Sequence, residues 1–381
     1  IVTLLSSFAS LIGLGGSPIM AMRMGAGDKR EAQKILNNSF FMLLVTSVLL
    51  TFGFLALKEK FLMWFGASQA TFPYANTYVT IYTLGTVFAL LSTGMNSFLI
   101  AQGFSGLGMA TVVIGAILNI ILDPLFIFVF HMGVAGAAIA TVIGQFCAML
   151  IGYVITKVKI KELDIHMRNF SFSTPILCKI YKVGVPAILM QSVLSFMTVF
   201  MNMILAPISA MAITVFSVYY KLQNFLNMAV LGITNALIPI VAYNNGANRK
   251  DRAIEAIQFS MILSIFIMAV GTIVFQLFPK QLLAMFSAND QMYGLGIPAL
   301  KIISLSFVFA GISMVLCAAF QTLNKANTSL MITLARQLVI LIPLTYGLMK
   351  CFGIHVGWYA FVVTEFICTM YSLFEWRKMK R

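Results

Sequence analysis

Acidic side chains are scarce in this chain. Asp and Glu together number 11 in 381 residues, charged residues of either sign make up 9%, and there are three histidines. That leaves too little polar surface to clothe a water-soluble fold. With 60% apolar residues and a mean hydropathy of +0.96, the chain belongs in a bilayer. Cysteine is sparse too. Cys147, Cys178, Cys317, Cys351 and Cys368 have no CxxC spacing and mostly fall inside apolar runs, so neither a disulfide nor a metal site is implied. The sequence also has no nucleophile–base pair, phosphate loop or metal-spaced His/Cys cluster, which argues against a membrane enzyme, and no cofactor is expected. The apolar opening IVTLLSSFASLIGLGG lacks a basic n-region and runs straight into repeat-matched sequence, so it does not read as a signal peptide.

What the chain does have is an internal duplication. Pro18, Ile19, Ala21, Gly25, Ala26, Lys29, Ala32 and Ser39 recur 221 positions later as Pro239, Ile240, Ala242, Gly246, Ala247, Lys250, Ala253 and Ser260. The register holds at Leu62, Phe65 and Ala67 against Leu283, Phe286 and Ala288, and at Gly136 against Gly357. One ancestral unit has been doubled along most of the chain. A doubled polytopic unit points to a transporter, because two homologous halves rocking against each other expose a buried site to either side in turn.

A helix needs about 20 apolar residues to cross the hydrocarbon core. Eleven segments qualify: 1–22, 35–57, 74–100, 108–130, 134–156, 177–205, 209–242, 256–278, 293–320, 328–349 and 353–376. Residues 177–221, about 45 in number, have no partner at the 221 offset, so the expected intact protein has twelve spans. The predicted fold is all-α: two six-helix bundles as parallel repeats, with an N-terminal lobe over 1–156, a linker over 157–176 and a C-terminal lobe over 177–381.

Lys and Arg fall unevenly between the spans. Eighteen lie in one set of alternate connections, and four (Lys58, Lys60, Lys280 and Lys350) lie in the other. The positive-inside rule puts the richer set, with both termini of the intact protein, in the cytoplasm. The net charge of +14 is therefore topological, and no nucleic-acid partner is expected. The expected location is the plasma (inner) membrane, with lipids as neighbours and a monomer as the working unit. Trp376, Trp64 and Trp358 are expected at the membrane interfaces.

Three passages carry a resemblance: LNIILDPLFIF with GVAGAAIATVIGQ (118–145), YYKLQNF (219–225) running on to PIVAYNNGA (239–247), and the doubled Gly-Ala turn. As a set they resemble the multidrug and toxic compound extrusion (MATE) family, in its MepA-like branch. The resemblance implies two six-helix lobes and secondary active export of hydrophobic, often cationic drugs by antiport with H⁺ or Na⁺.

Only Asp123 and Glu365 are acidic residues deep within spans. A carboxylate at that depth is costly and is by default a functional candidate. Asn119 is one turn from Asp123 on the same face. Pro124 has no N–H to give the Ile120 carbonyl, and Thr141 on the next span can add a hydroxyl. Together these form a candidate proton or hard-cation site. The simpler alternative is that Asp123 kinks a helix before proline while its companions make interhelical hydrogen bonds. A structural device of the fold should recur in the other half. At the 221 offset the trio becomes Ile340, Leu344 and Val362, which favours function. The resemblance agrees, since the family's prokaryotic members carry an Asn and an Asp on helix 5 and a Thr on helix 6, matching Asn119, Asp123 and Thr141. The family's helix 1 Asp and its C-terminal-lobe acids on helices 7 and 10 have no counterpart in this sequence.

Glu365 and Arg336 sit at similar expected depth, and two readings stand open: a structural ion pair, or selection of substrate charge. Lys221 and Lys301 read as snorkelling side chains, although Lys221 lies in the family-like YYKLQNF. Two other functions remain as alternatives: a lipid or lipid-linked oligosaccharide flippase, which would carry a cationic cavity, and a non-transporting membrane scaffold.

Overall fold

The computed structural model describes residues 2–64, 69, 71–159, 170–323 and 325–380. Phe65, Ala67, Arg381 and residues 160–169 of the expected linker lie outside them. In lipid every backbone polar group must be satisfied within the chain, and the described residues form helices and no strand. In order these are α1 (Val2–Gly25), α2 (Lys29–Trp64), α3 (Phe72–Leu84), α4 (Thr86–Ala101), α5 (Ser105–Pro124) with a π-turn over Leu125–Val129, and α6 (Gly133–Lys159). There follow α7 (Thr174–Leu205), α8 (Ala210–Gly246), α9 (Lys250–Leu277), α10 (Pro279–Ala284), α11 (Asp290–Ser304) and α12 (Phe307–Thr322). The last are α13 (Ala326–Leu334) with a π-turn over Ala335–Val339, α14 (Leu341–Phe352), α15 (Ile354–Gly357) and α16 (Tyr359–Lys380).

Nine helices among the described residues are long and apolar enough to span a membrane, and eleven spans result when each of two bent pairs is taken as one. This is the number of apolar segments in the sequence. The bent pairs are α3–α4, at 56°, and α11–α12, at 48°. The first breaks at Gly85 and the second at Leu305–Ser306, and Gly85 and Ser306 are 221 positions apart. Neither break is at a proline. In both, a threonine hydroxyl from the neighbouring helix lies between a carbonyl next to the bend and one on its own helix: Thr51 Oγ1 is 3.2 Å from Thr83 O and 2.8 Å from Ser47 O, and Thr272 Oγ1 is 2.9 Å from Ser304 O and 3.0 Å from Met268 O. Threonines and carbonyls alike are related by the 221 offset. A hydroxyl from a neighbouring helix that reaches a carbonyl at a break supports the bend there.

The turns after α1 and α8 repeat in the same way. Gly27 (φ +79°) and Asn248 (φ +57°) both adopt the left-handed conformation that ends a helix, using the two residue types best suited to it.

The chain divides into two compact units, Ile1–Ile188 with Ala242–Asn248, and Leu189–Val241 with Arg249–Arg381. The first packs α1, α2 and α4 around Leu5, Ile12, Met20, Leu36, Leu43 and Phe98. The second has a cluster around Val215, Phe216, Tyr219, Phe307 and Trp358, and another around Leu237, Ile257, Leu316, Phe320 and Trp376. Trp358 and Trp376 are thus buried in protein, not displayed as interfacial anchors; their size fills a core, which the sequence pattern cannot distinguish from a headgroup contact. The Trp64 side chain lies outside the described residues.

Candidate functional site

The polar trio is assembled by a close helix crossing in the first unit. Gly115 on α5 faces Gly144 on α6, and a Cβ built on Gly144 would lie 2.8 Å from the Gly115 carbonyl oxygen and 3.6 Å from the Asn119 Cβ. Small residues at such crossings let backbones approach, and this approach brings side chains from both helices into reach. Asn119 Nδ2 donates to Asp123 Oδ1 at 3.2 Å and to Thr141 Oγ1 at 3.3 Å, while the Thr141 hydroxyl donates to Ala137 O at 2.9 Å. All three side chains are half-buried. Directly after Asp123, Pro124 ends the α-helical bonding and the chain continues in the π-turn, with the Phe130 N–H bonding Leu125 O at 3.0 Å.

One turn along α6, Gln145 extends this polar row. Its Nε2 donates to the Tyr82 hydroxyl of α3 at 3.0 Å. The Gln145 Oε1 is buried without a hydrogen-bond partner. Sequence reasoning missed both Gln145 and Tyr82. The glutamine closes the family-like GVAGAAIATVIGQ and shares a face with Thr141, so it was available as a signal; nothing in the sequence pairs it with a tyrosine 63 positions away.

Gly144→Val makes the crossing testable. A branched side chain there should force α5 from α6, break the Asn119–Thr141 bond and cost about 1–3 kcal/mol by overpacking. The check is a lower unfolding temperature in detergent together with loss of any cation-dependent thermal stabilisation.

In the second unit, Arg336 Nε lies 3.5 Å from Glu365 Oε1, and each side chain is only 13% exposed. Both line a cavity of ≈210 Å³ with Tyr219, Tyr220 and Phe361. Lys221 is exposed and does not line it, so the YYKLQNF lysine is not brought together with the pair. Lys301 is also exposed. Among the described residues, no three His, Cys, Asp or Glu side chains converge to hold a metal.

A family model, MatE, matches residues 1–125 and 186–347. The chain belongs to the MatE family. It is 25% identical over 374 residues to the multidrug export protein MepA of Staphylococcus haemolyticus (strain JCSC1435), covering 98% of this chain and 82% of that one. MepA of Staphylococcus aureus (strain MSSA476) is 24% identical over 377 residues, covering 97% and 82%. Among solved structures, a MATE protein in the bent conformation superimposes with a TM-score of 0.92 at 25% identity, covering 100% of this chain and 85% of that one. An outward-facing multidrug resistance MATE transporter of the MOP superfamily gives 0.91 at 25%, covering 99% and 85%. This MatE chain is a multi-pass membrane protein of a multidrug efflux transporter family, and its MepA relatives are multidrug export proteins.

Proposed function

We propose that this protein exports hydrophobic, often cationic compounds across the plasma membrane by antiport with H⁺ or Na⁺, and that Asp123, Asn119 and Thr141 form the coupling site. The observation that carries the reading is that these three side chains meet across the Gly115–Gly144 crossing in one half only. The fold's own devices, the Thr51 and Thr272 bonds at the bends, are present in both halves. A polar cluster that the fold makes in only one of two repeats is best explained by work specific to that half.

The geometry defines what each cation needs. Asn119 presents its amide N–H groups to the Asp123 carboxylate and the Thr141 hydroxyl. A proton can join Asp123 with Asn119 left as it is, whereas Na⁺, which takes oxygen ligands, needs the amide turned so that Oδ1 faces the same point. Carboxylate, amide and hydroxyl oxygens then surround the ion. Either cation neutralises Asp123 and favours one packing of the helices, while the drug favours another, so the two compete through opposite conformations.

The exposed positions of Lys221 and Lys301 and the pairing of Arg336 with Glu365 argue against a flippase, since the described bases assemble no free cationic cavity for a pyrophosphate. The bias of Lys and Arg supports cytoplasmic termini for the intact protein, and a monomer suffices because both repeats lie in one chain. The test is ethidium binding to purified protein, titrated with Na⁺ and with acid. Competition predicts that one of them weakens ethidium binding several-fold; affinity indifferent to both overturns the reading.

A further inference from the structure

The 221 offset that doubles the chain also relates the two polar sites. It carries Gly115 onto Arg336 and Gly144 onto Glu365. By this offset the first half has two glycines in close approach at these positions, and the second half, where Arg336 lies in the π-turn over Ala335–Val339, has a guanidinium and a carboxylate 3.5 Å apart. The architecture does not need the charges. The first unit has a cavity of ≈160 Å³ on another side of the same helix pair, lined by Thr111, Ala148 and Gly152, whereas the second has one of ≈210 Å³ lined by Arg336 and Glu365 themselves.

Two buried polar atoms of residues in that cavity wall, Glu365 Oε2 and the Thr364 hydroxyl, lack a hydrogen-bond partner, and Arg336 Nε has only its ion pair to Glu365 Oε1 at 3.5 Å. Buried polar atoms are rarely left so, and here a carboxylate oxygen and a hydroxyl are unmet beside a guanidinium held by one long ion pair. Asn224, Asn227 and Gln337 add amides to the same wall. The opposite character comes from Met197, Tyr219, Tyr220, Met314 and Phe361, a surface suited to a flat or flexible apolar body. At ≈210 Å³ the space is below the usual 300–1,000 Å³ of drug-sized pockets and suits an amino-acid-sized molecule.

The charge of the guest follows from the pair. A monocation seated about 4 Å from the Glu365 carboxylate would lie about 6 Å from the Arg336 guanidinium, and since Coulomb energy falls as 1/r roughly two-thirds of its attraction is cancelled. If it displaced Arg336, a lone buried charge would remain, which is strongly unfavourable. A monoanion faces the mirror-image problem. We propose that this cavity is a binding site for a small zwitterion with an aromatic or aliphatic body, its ammonium on Glu365 and its carboxylate on Arg336. As a substrate subsite it rests on the export reading above, whereas binding itself does not. A permanent monocation such as ethidium is expected to bind outside it.

The test uses three probes built on one indole: tryptophan, with both charges; tryptamine, with the ammonium alone; and indole-3-propionate, with the carboxylate alone. Isothermal titration calorimetry on the full chain in nanodiscs should show tryptophan bound at least tenfold more tightly than either. Arg336→Gln should shift the preference to tryptamine, and Glu365→Gln to indole-3-propionate. A merely structural pair would lower stability without reordering the probes. Because a single variant leaves one charge alone and can fail to fold, the double variant Arg336→Gln/Glu365→Gln is measured as well, with the three probes expected within about twofold of one another. The proposal is overturned if the wild type binds no probe, or binds tryptamine as tightly as tryptophan. It is equally overturned if the double variant keeps the tryptophan preference. Cation-coupled ethidium export that persists alongside such a result would sink this inference alone; loss of that export with the probe order intact would sink the export reading alone.

Discussion

Asp123→Asn should reduce cation-driven ethidium export in proteoliposomes by about 100-fold, near the upper end of what a coupling free energy of ~1–3 kcal/mol supplies. The substitution is close to isosteric and leaves an oxygen to accept the Asn119 Nδ2 bond that runs to Asp123 Oδ1 at 3.2 Å. Packing at the Gly115–Gly144 crossing is untouched, so the variant should fold, reach the membrane and bind ethidium. What it loses is the ability to change charge. Ethidium affinity should accordingly stop responding to Na⁺ or acid, because linkage between two ligands is reciprocal. Driven export at the wild-type rate would remove Asp123 from the mechanism and return the trio to the role of an interhelical hydrogen-bond cluster.

Glu365→Leu should destabilise the protein by about 3–5 kcal/mol, more than Gly144→Val, because it strands the Arg336 guanidinium in an environment where its side chain is only 13% exposed. Glu365→Leu with Arg336→Met should recover most of that loss, since replacing a whole buried pair by apolar groups of similar volume is often neutral or favourable. The comparison is between unfolding temperatures in one detergent at one protein concentration. Equal stabilities for the single and double variants would mean that the two charges do not sense each other, and would remove the electrostatic basis of the zwitterion site. The first repeat supports the expected recovery, because it has glycines, Gly115 and Gly144, at the two equivalent positions.

The fold was largely legible in the sequence because a bilayer imposes a simple rule, and eleven apolar runs became eleven spans. The 221 offset, read from Pro18, Gly25 and their partners, turned out to hold for backbone geometry at Gly27 and Asn248 and at the bends. The bends themselves were not legible. They fall at Gly85 and Leu305–Ser306, with no proline, and are supported by Thr51 and Thr272 of neighbouring helices, a contact between segments about 30 residues apart. The trio was legible because Asp123 is an expensive residue and its companions sit at helical spacing or on the next span. Gln145 and Tyr82 were not, since a neutral amide and a phenol attract no notice until the fold joins them. Trp358 and Trp376 misled for a related reason: tryptophan at the end of an apolar run suits a headgroup layer and a protein core equally. The correspondence of Arg336 and Glu365 with Gly115 and Gly144 was available from the offset alone, but its meaning needed the glycine contact distance and the cavity.

The paired bends also say something about descent. A kink found at the same point of both repeats, supported by the same threonine hydroxyl yet with a glycine there in one and a serine in the other, is older than either residue at its apex. The shape was inherited and the apex then drifted, so a search for kink-forming residue types in relatives would overlook it. The threonine on the adjoining helix is the letter to follow.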